Sequence, residues 1–196
     1  MSRRRERRFY FSGVNDMTDL SQELAQLERD IQILKDIEAI RNVKHKYFRC
    51  VDTANMAELK ELLHPDVRVH FIGGTYEWTL DGRDEYVETL AKNFNTMTVA
   101  QHNGHHPEIT VQSETEATGI WYLHDIFWNM KFKACTTGTA LYRDKYRKNG
   151  EGRWQIVEST YERIYEILEQ PVEPPGLTVH MLGRTGRPAP SRSDKK

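Results

Sequence analysis

The stretch "EATGIWYLHDIFW", residues 116–128, places Ala117, Gly119, Trp121, Leu123, Asp125 and Phe127 at every second position. Alternation of this length is the period of an extended strand with one face against a core. Asp125 is the one charged residue on that face. A carboxylate among aromatic and aliphatic side chains is costly to bury unless a partner compensates it. The strand therefore carries either a structural ion pair or part of a functional site.

Working outward, "KFKACTTGTALYRDKYRK" (131–148), the turn "NGEG" (149–152) and "RWQIVESTYERIYEIL" (153–168) read as two more long strands. On the other side, "EITVQ" (108–112) leads into the turn "SET" (113–115). Long strands joined by short turns in chain order predict an antiparallel meander of about four strands. Upstream, Val67, Val69 and Phe71 alternate with Arg68 and His70, a further strand ending at Gly73–Gly74.

The rest of the N-terminal half has helical spacing. Leu20, Leu24, Leu27, Ile31 and Leu34 form a narrow apolar seam, and Ile37, Ile40, Val43 and Tyr47 continue after a change of phase. One long helix, straight or slightly bent, should end near Asp52. Asn55 with Glu58 reads as a capping box for a short helix through Leu63, closed by His64–Pro65. A third helix is expected from about Arg83 to Phe94. This order predicts an α+β fold: a curved antiparallel sheet covered by the N-terminal helices, forming a cone with an internal pocket.

Bulk properties exclude several classes. A chain of 196 residues fits one domain with extensions, and a net charge of −1 gives no general attraction to nucleic acid or anionic membrane. Apolar runs are too short to span a bilayer, and the Arg-rich start has no apolar stretch of the kind a signal peptide needs. Cys50 and Cys135, in no C-x-x-C arrangement, suggest reduced thiols and a cytoplasmic protein. Residues 1–16 hold five arginines in the first eight positions and read as a disordered extension, with Met17 as an alternative start. Residues 169–196 form a Pro/Gly-rich tail expected to be too poor in apolar surface to order itself.

Chemistry concentrates in "QHNGHHPEI" (101–109), with three of the eight histidines. Gly104 and Pro107 rule out the helical H-E-x-x-H zinc pattern and no cysteine is near, so no metal is expected. His105 and His106 fit a polar turn before the proline, although His105 is also a candidate substrate contact. Across a turn near Glu114, His102 falls opposite roughly residue 126, beside Asp125. A histidine with a carboxylate on one nitrogen keeps the other free to move protons near neutral pH. The plainer alternative is a histidine satisfied by backbone carbonyls. Tyr47, in "KYFRCVD" (46–52), lies in the apolar phase, and a buried phenol needs a partner. Asp52 is five residues on, about 140° around an ideal helix, and reaches the same cavity only if that cavity wraps the helix end. Alone, Tyr47 is an ordinary core residue and Asp52 an ordinary helix end. Trp121, Phe127, Tyr76 and Trp78 are candidate pocket aromatics. No dinucleotide fingerprint, phosphate loop or nucleophile elbow is present. Acid–base chemistry without a cofactor is the reading that remains.

The segments "KDIEAI" (35–40), "KYFRCVD" (46–52), "HNGHHPEITVQSETEATGIWYLHD" (102–125), "LYRDKY" (141–146) and "YERIYE" (161–166) resemble the bile acid 7α-dehydratases, and more distantly the scytalone dehydratases. Both belong to the SnoaL-like branch of the nuclear-transport-factor-2-like superfamily. The resemblance runs from about Met17 to Leu168, roughly three quarters of the chain, and marks 17–168 as the catalytic domain. It implies the cone fold, no cofactor, and a homo-oligomer, with a trimer favoured over a dimer. It implies a lyase that eliminates water from a bulky alicyclic or aromatic hydroxy compound, free or as a coenzyme A thioester. Tyr47, Asp52, His102 and Asp125 match the catalytic set, with Asp125 expected to orient His102. Arg163 matches an arginine that binds substrate or its thioester carrier. "IFWNMKFKACTTG" (126–138) and the tail depart from the bile acid enzymes, which leaves steroid and aromatic substrates both open. The same cone also hosts lyases that release formaldehyde from lignin-derived aromatics, double-bond isomerases, and non-catalytic assembly modules. The histidine favours elimination.

Overall fold

The helical steps of the N-terminal half carry one uninterrupted helix, α1 (Asp16–Asp52), in the computed structural model, which describes residues 16–190. The Arg-rich extension expected over residues 1–16 lies outside the described residues except for Asp16, as do residues 191–196. The described chain divides into two compact units, one ending at Asp36 and the other beginning at Ile37. In the first, Leu20, Leu24, Leu27, Ile31 and Leu34 are exposed. In the second, Ile40, Val43, Tyr47, Phe48 and Val51 are buried. The change of phase in the sequence thus marks the passage from an exposed seam to a core face.

Asn55 caps α2 (Met56–Leu62), its side chain accepting the Glu58 N–H at 3.3 Å. The helix stops at Leu62, and strand β1 (Leu63–Ile72) begins at once and runs through His64–Pro65. Proline and the restricted residue before it suit extended backbone as well as they end a helix. Beyond Gly73 the chain returns as β2 (Glu77–Asp81), antiparallel to β1, a short strand the sequence analysis did not anticipate. Then come α3 (Arg83–Asn93) and the expected meander of β3 (Thr98–Val111), β4 (Glu116–Asn129), β5 (Ala134–Lys148) and β6 (Trp154–Glu169). The six strands form one curved, unclosed sheet in the order β2-β1-β6-β5-β4-β3, antiparallel except where β1 pairs with β6. The α+β expectation holds.

Two features differ from the sequence reading. "HNGHH" is not a turn but the middle of β3, which absorbs Pro107 in a bulge between His105 and Glu108, with His106 at a left-handed φ of 48°. The extra residue shifts the pairing by one, so His102 faces Asp125 rather than residue 126. The tail, too, is ordered through residue 190. It forms no core of its own but lends Leu182, 3% exposed, to the existing one. His180 Nε2 bonds the Thr98 carbonyl at 2.7 Å, and Arg187 pairs with Glu88 at 2.8 Å. A segment too poor to fold alone can still dock on a preformed surface. Among the described residues no helix is long and apolar enough to cross a membrane, and both cysteines are free and buried.

Candidate active site

The curved sheet and the helices of the second unit enclose a cavity of about 380 Å³, within the usual range for small-molecule sites. Tyr47, His102, Asp125, Tyr76, Trp78 and Phe127 line it, as does Arg163.

His102 enters from β3 with its side chain 11% exposed. Its position is fixed from three sides. Phe48 stacks on the imidazole at 6.1 Å and 14°, and Phe94 tilts against it at 5.5 Å. Phe48 in turn lies on the bare backbone of β3: a Cβ at Gly104 would come within 1.9 Å of its ring, so only glycine fits there. The third contact is Asp52, the last residue of α1. Its Oδ2 accepts the His102 backbone N–H at 2.9 Å and its Oδ1 meets Nδ1 at 2.6 Å. An ionised Asp52 can only accept, so Nδ1 carries the proton and Nε2 is left as a base. Val51 lines the cavity, whereas Asp52 reaches the site only through its contact with His102.

Asp125 sits beside His102 in register, yet its carboxylate goes elsewhere. It is 2% exposed and takes a two-point contact from Arg163 of β6, at 2.5 and 2.8 Å. A fully buried carboxylate gains more from a guanidinium fork than from one imidazole nitrogen. The orienting partner of His102 is therefore Asp52, and the role expected for Asp125 is corrected accordingly. Burial would pull the Arg163 guanidinium down, but the hydrogen bond and charge of Asp125 outweigh it and hold it above the usual arginine value. Behind Arg163 stands Glu166, with Oε2 3.3 Å from Nε. That approach is a charge contact rather than an aligned hydrogen bond, because Oε2 has no well-directed donor.

Tyr47 meets the hydroxyl of Tyr86 in a hydrogen bond, with Tyr142 edge-on at 6.4 Å. Tyr76 and Tyr161 form a second phenol pair nearer Arg163. Burial pushes Tyr47, Tyr86, Tyr142, Tyr146 and Tyr161 above the ordinary phenol value, so all remain donors at neutral pH. The sign of the consequence follows from proton counting. Above about pH 10 the unfolded chain releases phenolic protons that the folded chain keeps, so stability falls as pH rises. Each such phenol contributes a loss of about 1.4 kcal/mol per pH unit in that range. Melting curves recorded across it should drop steeply, with five of the nine tyrosines ionising only at the transition. Full phenolate absorbance before unfolding would contradict the burial.

Two expected contacts are not at the cavity. Trp121 is 0% exposed in the core, where its Nε1 donates to Tyr146 at 3.0 Å. His105 lies against Tyr122, stacked at 5.6 Å, and pairs its Nδ1 with that of His106 at 2.7 Å. Burial, then the neighbouring His106 and His124, hold the His105 imidazole below its usual value. His105 is three residues from His102, an odd step that turns it to the opposite face of β3, where side chains alternate. Sequence reasoning missed Tyr86, Tyr142 and Tyr161. The aromatic residues of "LYRDKY" and "YERIYE" were visible, but nothing local says which face of a strand becomes the inside. Among the described residues no group of His, Cys, Asp or Glu is placed to hold a metal ion.

Solved structures share this architecture at low identity. A protein of Novosphingobium aromaticivorans DSM 12444 provisionally named a scytalone dehydratase matches with a TM-score of 0.63 and 21% identity, over 81% of this chain and 96% of its own. A type 2 hexachlorocyclohexane dehydrochlorinase, LinA, gives 0.64 and 18%, over 76% and 99%. The LinA-type3 dehydrochlorinase of Novosphingobium barchaimii LL02 gives 0.63 and 16%, over 74% and 99%. Identities this low speak for the fold. The family model for the SnoaL-like domain, however, matches residues 32–160, well over half of the chain, and the chain therefore belongs to the SnoaL-like family.

Proposed function

We propose that this protein is a cofactor-independent lyase that removes water from an uncharged, bulky aromatic or alicyclic hydroxy compound. The observation that carries the reading is the grip of Asp52 on His102, which leaves one imidazole nitrogen as a base at a cavity also lined by Tyr47.

In the proposed reaction His102 Nε2 takes a proton from the carbon next to the one that bears the hydroxyl. The C–H electron pair becomes the new double bond while the C–O bond breaks. The leaving hydroxide collects the proton from the imidazolium and departs as water, which returns His102 to its starting state. Asp52 stabilises the imidazolium in between. Tyr47 donates to a substrate oxygen on which charge develops, in a site with little competing water. The dehydratase and dehydrochlorinase neighbours perform eliminations by name, which agrees with this class.

The uncharged substrate is inferred from the lining. Arg163 is the one arginine or lysine among the described lining residues, and Asp125 and Glu166 already answer its charge. An incoming carboxylate would find no free cation and a surplus of negative charge. The test pairs near-isosteric ring compounds of different charge, 2-naphthamide and 2-naphthoate, and reads quenching of tryptophan fluorescence, to which cavity-lining Trp78 contributes. The neutral ring should bind at least ten times more tightly. Equal or tighter binding of the anion would refute the uncharged-substrate reading. For turnover, mass spectrometry on a panel of hydroxylated ring compounds should find product lighter by one water. Trapped formaldehyde with no dehydrated product would instead identify a C–C lyase.

A further inference from the structure

The first half of α1 carries an apolar stripe that the catalytic reading does not use. Met17, Leu20, Leu24, Leu27, Ile31 and Leu34 recur at alternating steps of three and four, the spacing of a heptad seam. All six are exposed, from 42% at Ile31 to 79% at Met17. Scattered apolar residues on a surface need no explanation, but six in one line along about 27 Å of helix do.

We propose that this seam pairs with the same seam of a second copy of the chain, as a parallel two-stranded coiled coil. With Met17, Leu24 and Ile31 at the a positions, the d positions are Leu20, Leu27 and Leu34. Ile31 at a between leucines at d favours two parallel strands in that layer. The flanking charges decide the direction. Parallel pairing sets Asp30 of one copy against Lys35 of the other on both sides, and Glu23 against Glu28. Antiparallel pairing sets Glu23 against Asp30 and offers no opposite-charge pair. An isolated helix of this length would be marginal in water. Here the helix is already nucleated, since α1 continues without a break to Asp52 and its later turns hold the core residues Ile40, Val43 and Tyr47.

Single cysteines in the full-length chain test the pairing under mild oxidation. Leu20→Cys, on the seam, should give a disulfide-linked dimer, because a parallel register brings the two copies of residue 20 together. Gln22→Cys, on the outer side of the same helix, should give little. Cys50 and Cys135 are 0% and 3% exposed and add no background. Adding Leu24→Glu and Ile31→Glu to Leu20→Cys should abolish the linked band. Light scattering should give a lower mass for the Leu24→Glu/Ile31→Glu chain, with its melting temperature and turnover retained, since both sites are exposed. Failure of Leu20→Cys to cross-link, or equal cross-linking of Gln22→Cys, would overturn the proposal. Neither outcome touches the catalytic reading, which rests on the other unit.

Discussion

His102→Ala should leave a folded protein whose turnover is lower by a factor on the order of 10²–10⁴, the usual worth of one positioned proton transfer. The fold should survive because His102 borders the cavity and Asp52 still accepts the backbone N–H of residue 102. Asp52→Asn should be almost as damaging, for a geometric reason. The backbone N–H requires an oxygen, which turns the amide NH₂ of the new side chain toward Nδ1. The imidazole must then carry its proton on Nε2, where it can no longer accept one. Asp125→Asn separates the roles. It weakens the Arg163 contact but leaves the His102 tautomer intact, so kcat should fall far less than in Asp52→Asn. The check is steady-state kinetics on the best compound of the hydroxylated panel, with circular dichroism to confirm folding. Near-normal kcat for His102→Ala would end the general-base reading, and a larger loss in Asp125→Asn than in Asp52→Asn would reassign the partner.

Long periodic segments were legible because their pattern is local. β4, β5 and β6 end within a few residues of their sequence boundaries, and so do α1 and α3. β2 was missed because five residues hold too few alternations to stand out, and it forms only by pairing with β1. The structure brings the four candidates to one place: Tyr47, His102 and Asp125 line the cavity and Asp52 grips His102. Their pairing was not legible. Cross-strand position put Asp125 beside His102, and that is where its backbone lies. What the pattern could not supply is Arg163, two strands away in the sheet, which captures the carboxylate. Nor could it supply the approach of the α1 terminus, which lies fifty residues before His102 in the chain. Competition among partners for one buried charge is a tertiary matter, and spacing along the chain carries no trace of it.

The same lesson applies to a residue that sequence reasoning passed over, and it gives the largest expected effect of a single substitution on stability. Lys44 and Asp144 have side chains with no exposure at all, with Nζ 2.8 Å from Oδ2. The ammonium also lies 3.6 Å from the centre of the Tyr142 ring and 4.7 Å from that of Tyr47. Asp144 accepts hydrogen bonds from Tyr146 and Ser159 at 2.7 Å each, so the cluster ties α1 to β5 and β6. Lys44→Met keeps most of the volume but strands a buried carboxylate, and breaking such a pair costs about 3–5 kcal/mol. The hydroxyl donors that remain should hold the loss near the lower figure. Lys44→Met/Asp144→Leu should recover only part of it, because the charges go as a pair but the buried Tyr146 and Ser159 hydroxyls lose their acceptor. Urea unfolding checks both: the midpoint should fall for the single variant and return in part for the double, with the slope unchanged. A loss below about 1 kcal/mol for Lys44→Met would mean that the pair contributes no net charge attraction. The cluster also bears on the site, since Asp52 lies two helical turns beyond Lys44 on α1. Loosening that helix should lengthen the 2.6 Å contact to His102 before it unfolds the sheet, so activity should fail at lower urea than global unfolding.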